Sequence, residues 1–165
     1  YPERERLLKR VAADFDLGIW GGDWKRRVWR ARFYQRRTTL DRCAIGAAGP
    51  SAANLIYGGC AVNLNLHGPW DGLNMRVFEI PGAGGFQLCD ARDGLSNMFD
   101  PGSEIEVFES DDDMLAKIEH ALGETKWREG IAAAGRRRAH AEHTLGHRMQ
   151  ALLARLAADL RGAST

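Results

Sequence analysis

The sequence predicts an α/β fold in which helices alternate with parallel strands. An amphipathic helical segment leads through a glycine pair into a short apolar strand within residues 50–66, and the same succession repeats within residues 74–89. A helix that feeds a strand is the unit of an α/β sheet. The length of 165 residues, with 44% hydrophobic and 27% charged residues, fits one domain over residues 1–165.

The elements before this repeat are a helix, a strand and a segment of mixed character. Apolar residues at helical spacing behind Pro2 predict a first helix over residues 3–15. The apolar run 17–20 ends in two glycines, which predicts a buried strand and a tight turn. The basic residues 25–42 are interpreted as a helix followed by a loop.

The repeat and the residues after it complete the sheet and add three helices. Helices are predicted at residues 50–57 and 74–83, and strands at residues 60–66, 86–89 and 104–108. The acidic residues 111–113 favour a helix start, and further helices are predicted at residues 126–140 and 144–160. This order predicts a Rossmann-like, three-layer domain with a parallel sheet and a helical C-terminal part. Such sheets bind ligands beyond the carboxyl ends of their strands.

Composition excludes several classes of protein. The three cysteines form an odd set without a CxxC pair, which favours free thiols in a reducing compartment over a disulfide framework or a zinc cluster. No apolar stretch approaches the roughly 18 residues of a bilayer span, and the N-terminus lacks a signal-peptide core. We therefore expect a cytoplasmic, soluble chain without a membrane span. The start at Tyr1, without Met, indicates a piece of something longer.

The net charge of +1 conceals two segregated segments. Residues 25–42 hold eight basic residues and one acid, whereas residues 90–124 hold eleven acids and two basic residues. Charge runs are mostly solvated faces, but a basic surface can also attract nucleic acid. A non-catalytic module that binds nucleic acid or an anionic surface through residues 25–42 is therefore an alternative hypothesis, although nucleic acid is not the expected partner.

The densest group of candidate binding residues follows the strand at residues 60–66. A helix starting near Asn74 would present backbone N–H groups and a positive dipole end to an anion, and Gly72 would let the backbone approach it. Arg76 could neutralise a diphosphate, and Glu79 could accept two hydrogen bonds from a vicinal diol such as a ribose. His67, at the strand end, could donate to a sugar hydroxyl or a phosphate.

Each of these residues also has a purely structural interpretation. Arg76 and Glu79 could form a surface ion pair, His67 could cap its strand, and the glycines at residues 82–85 are interpreted as a helix stop. Cys60 and Cys89 lie in apolar runs, where a thiol is usually inert. The helically spaced histidines at 140, 143 and 147 could bind a metal but favour roles in caps and turns.

Three strings of the sequence resemble a known family. They are Asn63-Leu-Asn-Leu-His67, Asn74-Met-Arg-Val-Phe-Glu-Ile-Pro81 and Gly84-Gly-Phe-Gln-Leu-Cys-Asp90. They are similar to the C-terminal domain of group 1-type glycosyltransferases of the spore-maturation (CgeB-like) kind. The similarity extends over most of the chain and is weakest at residues 25–42.

The resemblance implies a GT-B architecture of two Rossmann-like domains, of which this chain is the second, donor-binding half. It implies that the acceptor-binding N-terminal domain, and the first strand of this domain, precede Tyr1. An isolated piece of this kind would lack the acceptor site and would be inactive by itself. A sugar-nucleotide epimerase on the same fold is a lower-ranked alternative.

The resemblance also assigns residues. Asp71, where the family usually has Glu, would lie near the transferred sugar, and Glu79 would hold the ribose of a nucleotide-sugar. Backbone N–H groups of the loop, with Arg76, would face the diphosphate; the loop residues are Gly72, Leu73, Asn74 and Met75. Asp71 and Arg76 are the catalytic candidates. We expect no cofactor and no metal, since fixed positive groups can stabilise the leaving diphosphate.

Overall fold

The computed structural model describes residues 2–21, 39–68 and 72–162. Within these residues the helices are α1 (Pro2–Asp14), α2 (Pro50–Gly59), α3 (Arg76–Gly82), α4 (Asp111–Gly123), α5 (Thr125–Glu142) and α6 (Leu145–Gly162). The strands are β1 (Ile19–Trp20), β2 (Ala44–Gly46), β3 (Asn63–Asn65), β4 (Gln87–Asp90) and β5 (Glu106–Phe108). Short 3-10 helices lie at Thr39–Cys43 and Leu95–Asn97.

The larger sheet has the strand order β3-β4-β5, with all strands parallel. Asn65 of β3 lies opposite Cys89 of β4, and Asp90 of β4 lies opposite Phe108 of β5. The carboxyl ends of the three strands therefore meet at one edge, where the loops after β3 and β4 begin. The predicted α/β class with parallel strands and a helical C-terminal part is confirmed.

Each face of this sheet packs against helices, because side chains alternate along a strand. Leu88 of β4 is fully buried in a core shared with α1 and α4, whereas the neighbouring Cys89 is buried in a second core with Val77 of α3 and Ala139 of α5. These two cores make the layers above and below the sheet. The same alternation turns Asn65 toward the face that carries α3.

A smaller parallel sheet joins β1 to β2, which the sequence analysis did not predict. Strand β2 has only three residues, too few for a period-two pattern, and it follows a basic segment whose composition favours helix and loop. Arg42, just before it, donates to the Ala12 carbonyl at 2.9 Å. Residues 25–38 of that segment lie outside the described part of the chain.

The helix and strand predictions hold elsewhere, with boundaries shifted by a few residues. Helix α3 begins at Arg76, two residues later than predicted, although the Asn74 carbonyl already accepts the Val77 N–H at 3.2 Å. The glycines after α3 end it as predicted: Gly84 has a φ of 82°, and its N–H bonds to the Pro81 carbonyl at 2.8 Å.

Helix α6 is attached to the domain at its N-terminal end. The Arg148 guanidinium lies 4.5 Å from the centre of the Phe78 ring, and His143, just before the helix, bonds to the Met98 carbonyl at 2.7 Å. The apolar side chains of α6 are exposed and do not pack into the core of the domain. They are Leu145, Met149, Leu152, Leu153, Leu156 and Leu160. None of the helices in the described ranges combines the length and apolar character that a membrane crossing needs.

The packing of α5 against the site-bearing helix α3 can be tested at a glycine. A methyl group at Gly135 would lie 2.3 Å from the Glu104 carbonyl oxygen and 3.3 Å from Pro81. Gly135→Ala should therefore lower the free energy of unfolding by about 1–3 kcal/mol, the usual cost of overpacking, as measured by urea denaturation.

Gly130→Ala is the matched control, since it lies in the same helix with open space at its Cβ position. It should raise the free energy of unfolding by up to about 1 kcal/mol through helix propensity alone. Equal effects of the two substitutions would contradict this account of α5 packing.

Candidate functional site

The side chain of Asn65 organises the end of β3. Asn65 is fully buried, and its Oδ1 accepts hydrogen bonds from Asn74 Nδ2 at 2.9 Å and from Arg76 Nε at 3.2 Å. Its Nδ2 lies 3.5 Å from Gln87 Oε1 on the neighbouring strand. One buried amide thus ties the loop before α3, and the first residue of α3, to the sheet.

A second polar cluster joins the ends of β3 and β4. His67 Nδ1 lies 2.7 Å from Asp90 Oδ1, which also accepts the backbone N–H of His67 at 2.9 Å. Asp90 Oδ2 accepts from Arg92 Nε at 3.0 Å, and Arg92 Nη2 donates to the Gly68 carbonyl at 3.2 Å. Partial burial raises the pKa of Asp90, but the bonds from His67 and Arg92 outweigh burial, so the net pKa is lowered.

Two cavities flank these clusters. One, of about 350 Å³, lies between β1, α2 and β3 and has Trp20, Tyr57 and Arg76 among its lining residues; we call it the Trp20 cavity. The other, of about 370 Å³, lies between α1 and the ends of β3, β4 and β5 and includes His67; we call it the His67 cavity. Arg4 lines both cavities, so they are adjacent.

Arg76 and Glu79 lie on the same side of α3, as their spacing predicts. Burial raises the pKa of the Tyr57 hydroxyl, the Glu79 charge raises it further, and the Arg76 charge opposes both. Arg76 is partly buried, whereas Glu79 is exposed. Arg76 bonds to the neutral Asn65, and no ion pair in the described part of the chain joins it to Glu79. The surface ion-pair interpretation is therefore not what this structure shows.

The loop before α3 places the other predicted residues in different surroundings. Gly72 has a φ of 112° with open space at its Cβ position, a backbone conformation that favours glycine. Leu73 packs on the core beneath α3, Asn74 bonds to Asn65, and Met75 is exposed. Asp71, the first catalytic candidate, lies outside the described residues.

The alternative nucleophile and metal interpretations receive no support from the geometry. Burial, followed by the charges of Asp90 and Glu106, raises the pKa of the Cys89 thiol to about 12, so it carries no thiolate at neutral pH. His143 and His147 bond to the Met98 carbonyl and the Thr144 hydroxyl, as residues of caps and turns do. Across the described ranges, no cluster of His, Cys, Asp and Glu could hold a metal ion.

Sequence reasoning missed the residues that act through tertiary contacts. It treats Asn65 as one residue of a strand, and neither Arg4 nor Arg92 is a candidate. Arg4 lies 63 positions before His67 in the chain, yet both line one cavity. The only local signal is the Asn63-Leu-Asn alternation, which places polar residues on one face of a strand that is covered on both sides.

The role of Asn65 can be tested by removing its acceptor. Asn65→Leu leaves Asn74 Nδ2 and Arg76 Nε unpaired, and should lower the free energy of unfolding by roughly 2–4 kcal/mol in urea denaturation. Asn54→Leu, at an exposed asparagine on α2, should change it by less than about 0.5 kcal/mol. An Asn65→Leu variant as stable as the wild type would show that this amide does not organise the loop.

The lowered pKa of Asp90 predicts a pH dependence of stability. A carboxyl group with a lowered pKa in the folded state stabilises that state above the unfolded pKa of about 3.9 and loses this contribution as pH falls through the folded pKa. Asp90→Asn should therefore be less stable at pH 7, by about 2 kcal/mol, and the difference should shrink below pH 4.

Urea denaturation between pH 3 and 7 measures this difference. Asp93→Asn, an exposed carboxylate three residues later, is the matched control and should give a nearly constant difference. If the stability difference between Asp90→Asn and the wild type does not change with pH, the assigned hydrogen bonds from His67 and the ion pair with Arg92 are contradicted.

The sequence was also compared with known proteins and protein families. No curated protein matches the chain significantly. A model of the family described as glycosyl transferase-like matches residues 4–154, which include most of α1, both polar clusters and the N-terminal half of α6. The match supports glycosyl transfer as the general activity, and the chain belongs to the glycosyl transferase-like family.

Proposed function

We propose that this chain is the donor-binding domain of a glycosyltransferase and binds a nucleotide-sugar at the carboxyl ends of β3 and β4. The observation that carries the proposal is Arg76, held by Asn65 on the wall of the Trp20 cavity. Its hydrogen-bond partner is neutral, and no ion pair in the described residues offsets its charge. Its positive charge is therefore available to an anionic ligand, as a diphosphate is.

The positions of the two cavities define the orientation of the ligand in our proposal. Each volume falls in the range of about 300–1,000 Å³ that is usual for small-molecule sites. In our proposal the nucleoside occupies the Trp20 cavity, which Ile19, Trp20 and Ile80 line with apolar surface. The sugar then extends past Arg4 toward the His67 cavity. The diphosphate lies between them, beside Arg76.

In this arrangement Glu79 binds hydroxyl groups of the ribose, and His67 binds a hydroxyl group of the sugar. Glu79 is exposed and shares the side of α3 that faces Tyr57, a residue of the Trp20 cavity, so its carboxylate can accept hydrogen bonds from the ribose. His67 supplies a ring nitrogen to the sugar end. Asp71, expected near the transferred sugar, completes the proposed catalytic pair with Arg76.

The proposed chemistry is electrostatic stabilisation of the leaving group. As the bond from the anomeric carbon to the diphosphate breaks, negative charge grows on the phosphate oxygens. Arg76 is fixed in place before this happens, because its Nε is bonded to a buried amide, so little reorganisation is needed at the moment of reaction. In the proposal this fixed charge serves instead of a metal ion.

We infer a CgeB-like enzyme in which a Rossmann-like N-terminal domain precedes this chain and supplies the acceptor site, so that the chain alone binds donor without transferring it. We also infer a cytoplasmic location, supported by Cys43, Cys60 and Cys89, which form no disulfide within the described part of the chain. Nucleic acid is not part of the proposal.

Isothermal titration with a panel of UDP-, GDP-, ADP- and dTDP-sugars tests the proposal. One member should bind, and Arg76→Met should weaken its binding by about 10- to 100-fold, the loss of a charge-assisted hydrogen bond to phosphate. Glu79→Gln should weaken it by roughly 10-fold through the ribose contact.

Two matched controls lie far from the cavities. Arg137→Met on α5 and Glu119→Gln on α4 remove the same charges from exposed positions and should leave the dissociation constant within about twofold of the wild type. Absence of binding for the whole panel, or equal losses in the controls, would refute the proposed donor site.

A further inference from the structure

The pair formed by His67 and Asp90 has a defined proton arrangement. Asp90 Oδ1 accepts the His67 backbone N–H, and Oδ2 accepts from Arg92, at 2.9 and 3.0 Å. An ionised carboxylate only accepts hydrogen bonds, so the His67 Nδ1 that lies 2.7 Å from Oδ1 must carry a proton. Both oxygens of Asp90 are occupied by donors of the protein itself.

The other ring nitrogen of His67, Nε2, makes no hydrogen bond within the described residues. Nε2 is buried and has no hydrogen-bond partner within the described residues, while the His67 side chain is 1% exposed and lines the His67 cavity. A buried polar atom without a protein partner is rare, and this one lines a cavity that has room for a bound group. In the neutral imidazole with a proton on Nδ1, Nε2 is a hydrogen-bond acceptor.

We infer that Asp90 is a positioning residue, which holds the His67 ring so that Nε2 accepts a hydrogen bond from a hydroxyl group of the sugar in the bound donor. The inference rests on the proposed nucleotide-sugar site. In the neutral ring, the lone pair on Nε2 accepts a hydrogen bond from a hydroxyl group, whereas a phosphate oxygen has no proton to donate and would be repelled. The histidine therefore recognises the sugar and not the diphosphate.

Arg92 completes the positioning. Its guanidinium bonds to Asp90 Oδ2 and also to the carbonyl of Gly68, the residue after His67. The carboxylate is thus held on one side by the backbone and ring of His67 and on the other by Arg92. Rotation of Asp90 would break several bonds at once, so the ring orientation is fixed before a ligand arrives.

Nitrogen NMR of the histidine rings tests the positioning without a ligand. In the wild-type chain we expect a proton on Nδ1 of His67 and a lone pair on Nε2. In Asp90→Asn the ring loses its anionic acceptor at Nδ1, so we expect the fraction of His67 rings that carry the proton on Nε2 to rise. Asp93→Asn should leave the spectrum unchanged. A wild-type ring that is doubly protonated, or protonated on Nε2 alone, overturns the inference, and this measurement needs no variant to fold.

Binding measurements test the link to the ligand. Asp90→Asn should weaken binding of the nucleotide-sugar that binds in the titration panel by about 10-fold. The dissociation constant of the matching nucleoside diphosphate, which lacks the sugar, should stay within about twofold of the wild type. In a His67→Gln background Asp90→Asn should have no further effect, because it acts through the ring. Equal losses for both ligands, or additive losses in the double variant, would show a merely structural role for Asp90.

If the wild type binds no nucleotide-sugar, the proposed function fails and the sugar contact fails with it, while the NMR result still decides the positioning of the ring.

Discussion

The buried hydrogen bonds accepted by Asn65 are the constraint on which the site depends. A side-chain amide with no exposure to solvent must find partners inside the protein, because an unpaired buried polar group is costly. Asn65 finds them in Asn74 and Arg76, and these bonds fix both the loop before α3 and the first residue of that helix. The hydrogen bonds that Asn65 needs thus place the cationic side chain of Arg76 on the wall of the Trp20 cavity.

Burial on both faces of the sheet makes this arrangement stable. Parallel sheets covered by helices usually read as continuous apolar runs, yet β3 carries Asn63 and Asn65 on the face toward α3. The Asn63 Nδ2 donates to the carbonyls of Tyr57 on α2 and of Phe86, the residue before β4, so Asn63 ties these segments to the strand. Of the two asparagines, only Asn65 lies at the carboxyl end of β3, where it can hold Arg76.

The charges around the strand ends separate into paired and available groups. Arg6 and Arg10 of α1 bind Asp111 at the start of α4, and Arg92 binds Asp90, so these guanidinium groups stabilise the fold. Arg76 bonds to a neutral amide instead. That difference in partner, more than the number of arginines, separates a structural cation from one that can meet the growing charge of a leaving group.

The sequence by itself determined the helices, most strands, the helix stop after α3 and the face shared by Arg76 and Glu79, because these depend on spacing between near neighbours. It missed β2, which is too short for a periodic signal. Asp71 and residues 25–38 of the basic segment 25–42 lie outside the described part of the chain. Only the tertiary structure decided that His67 meets Asp90, 23 residues away, and that Arg4 lines the same cavity. Those contacts arise where strand ends and the start of α1 converge, and no local pattern encodes a meeting of residues so far apart in the chain.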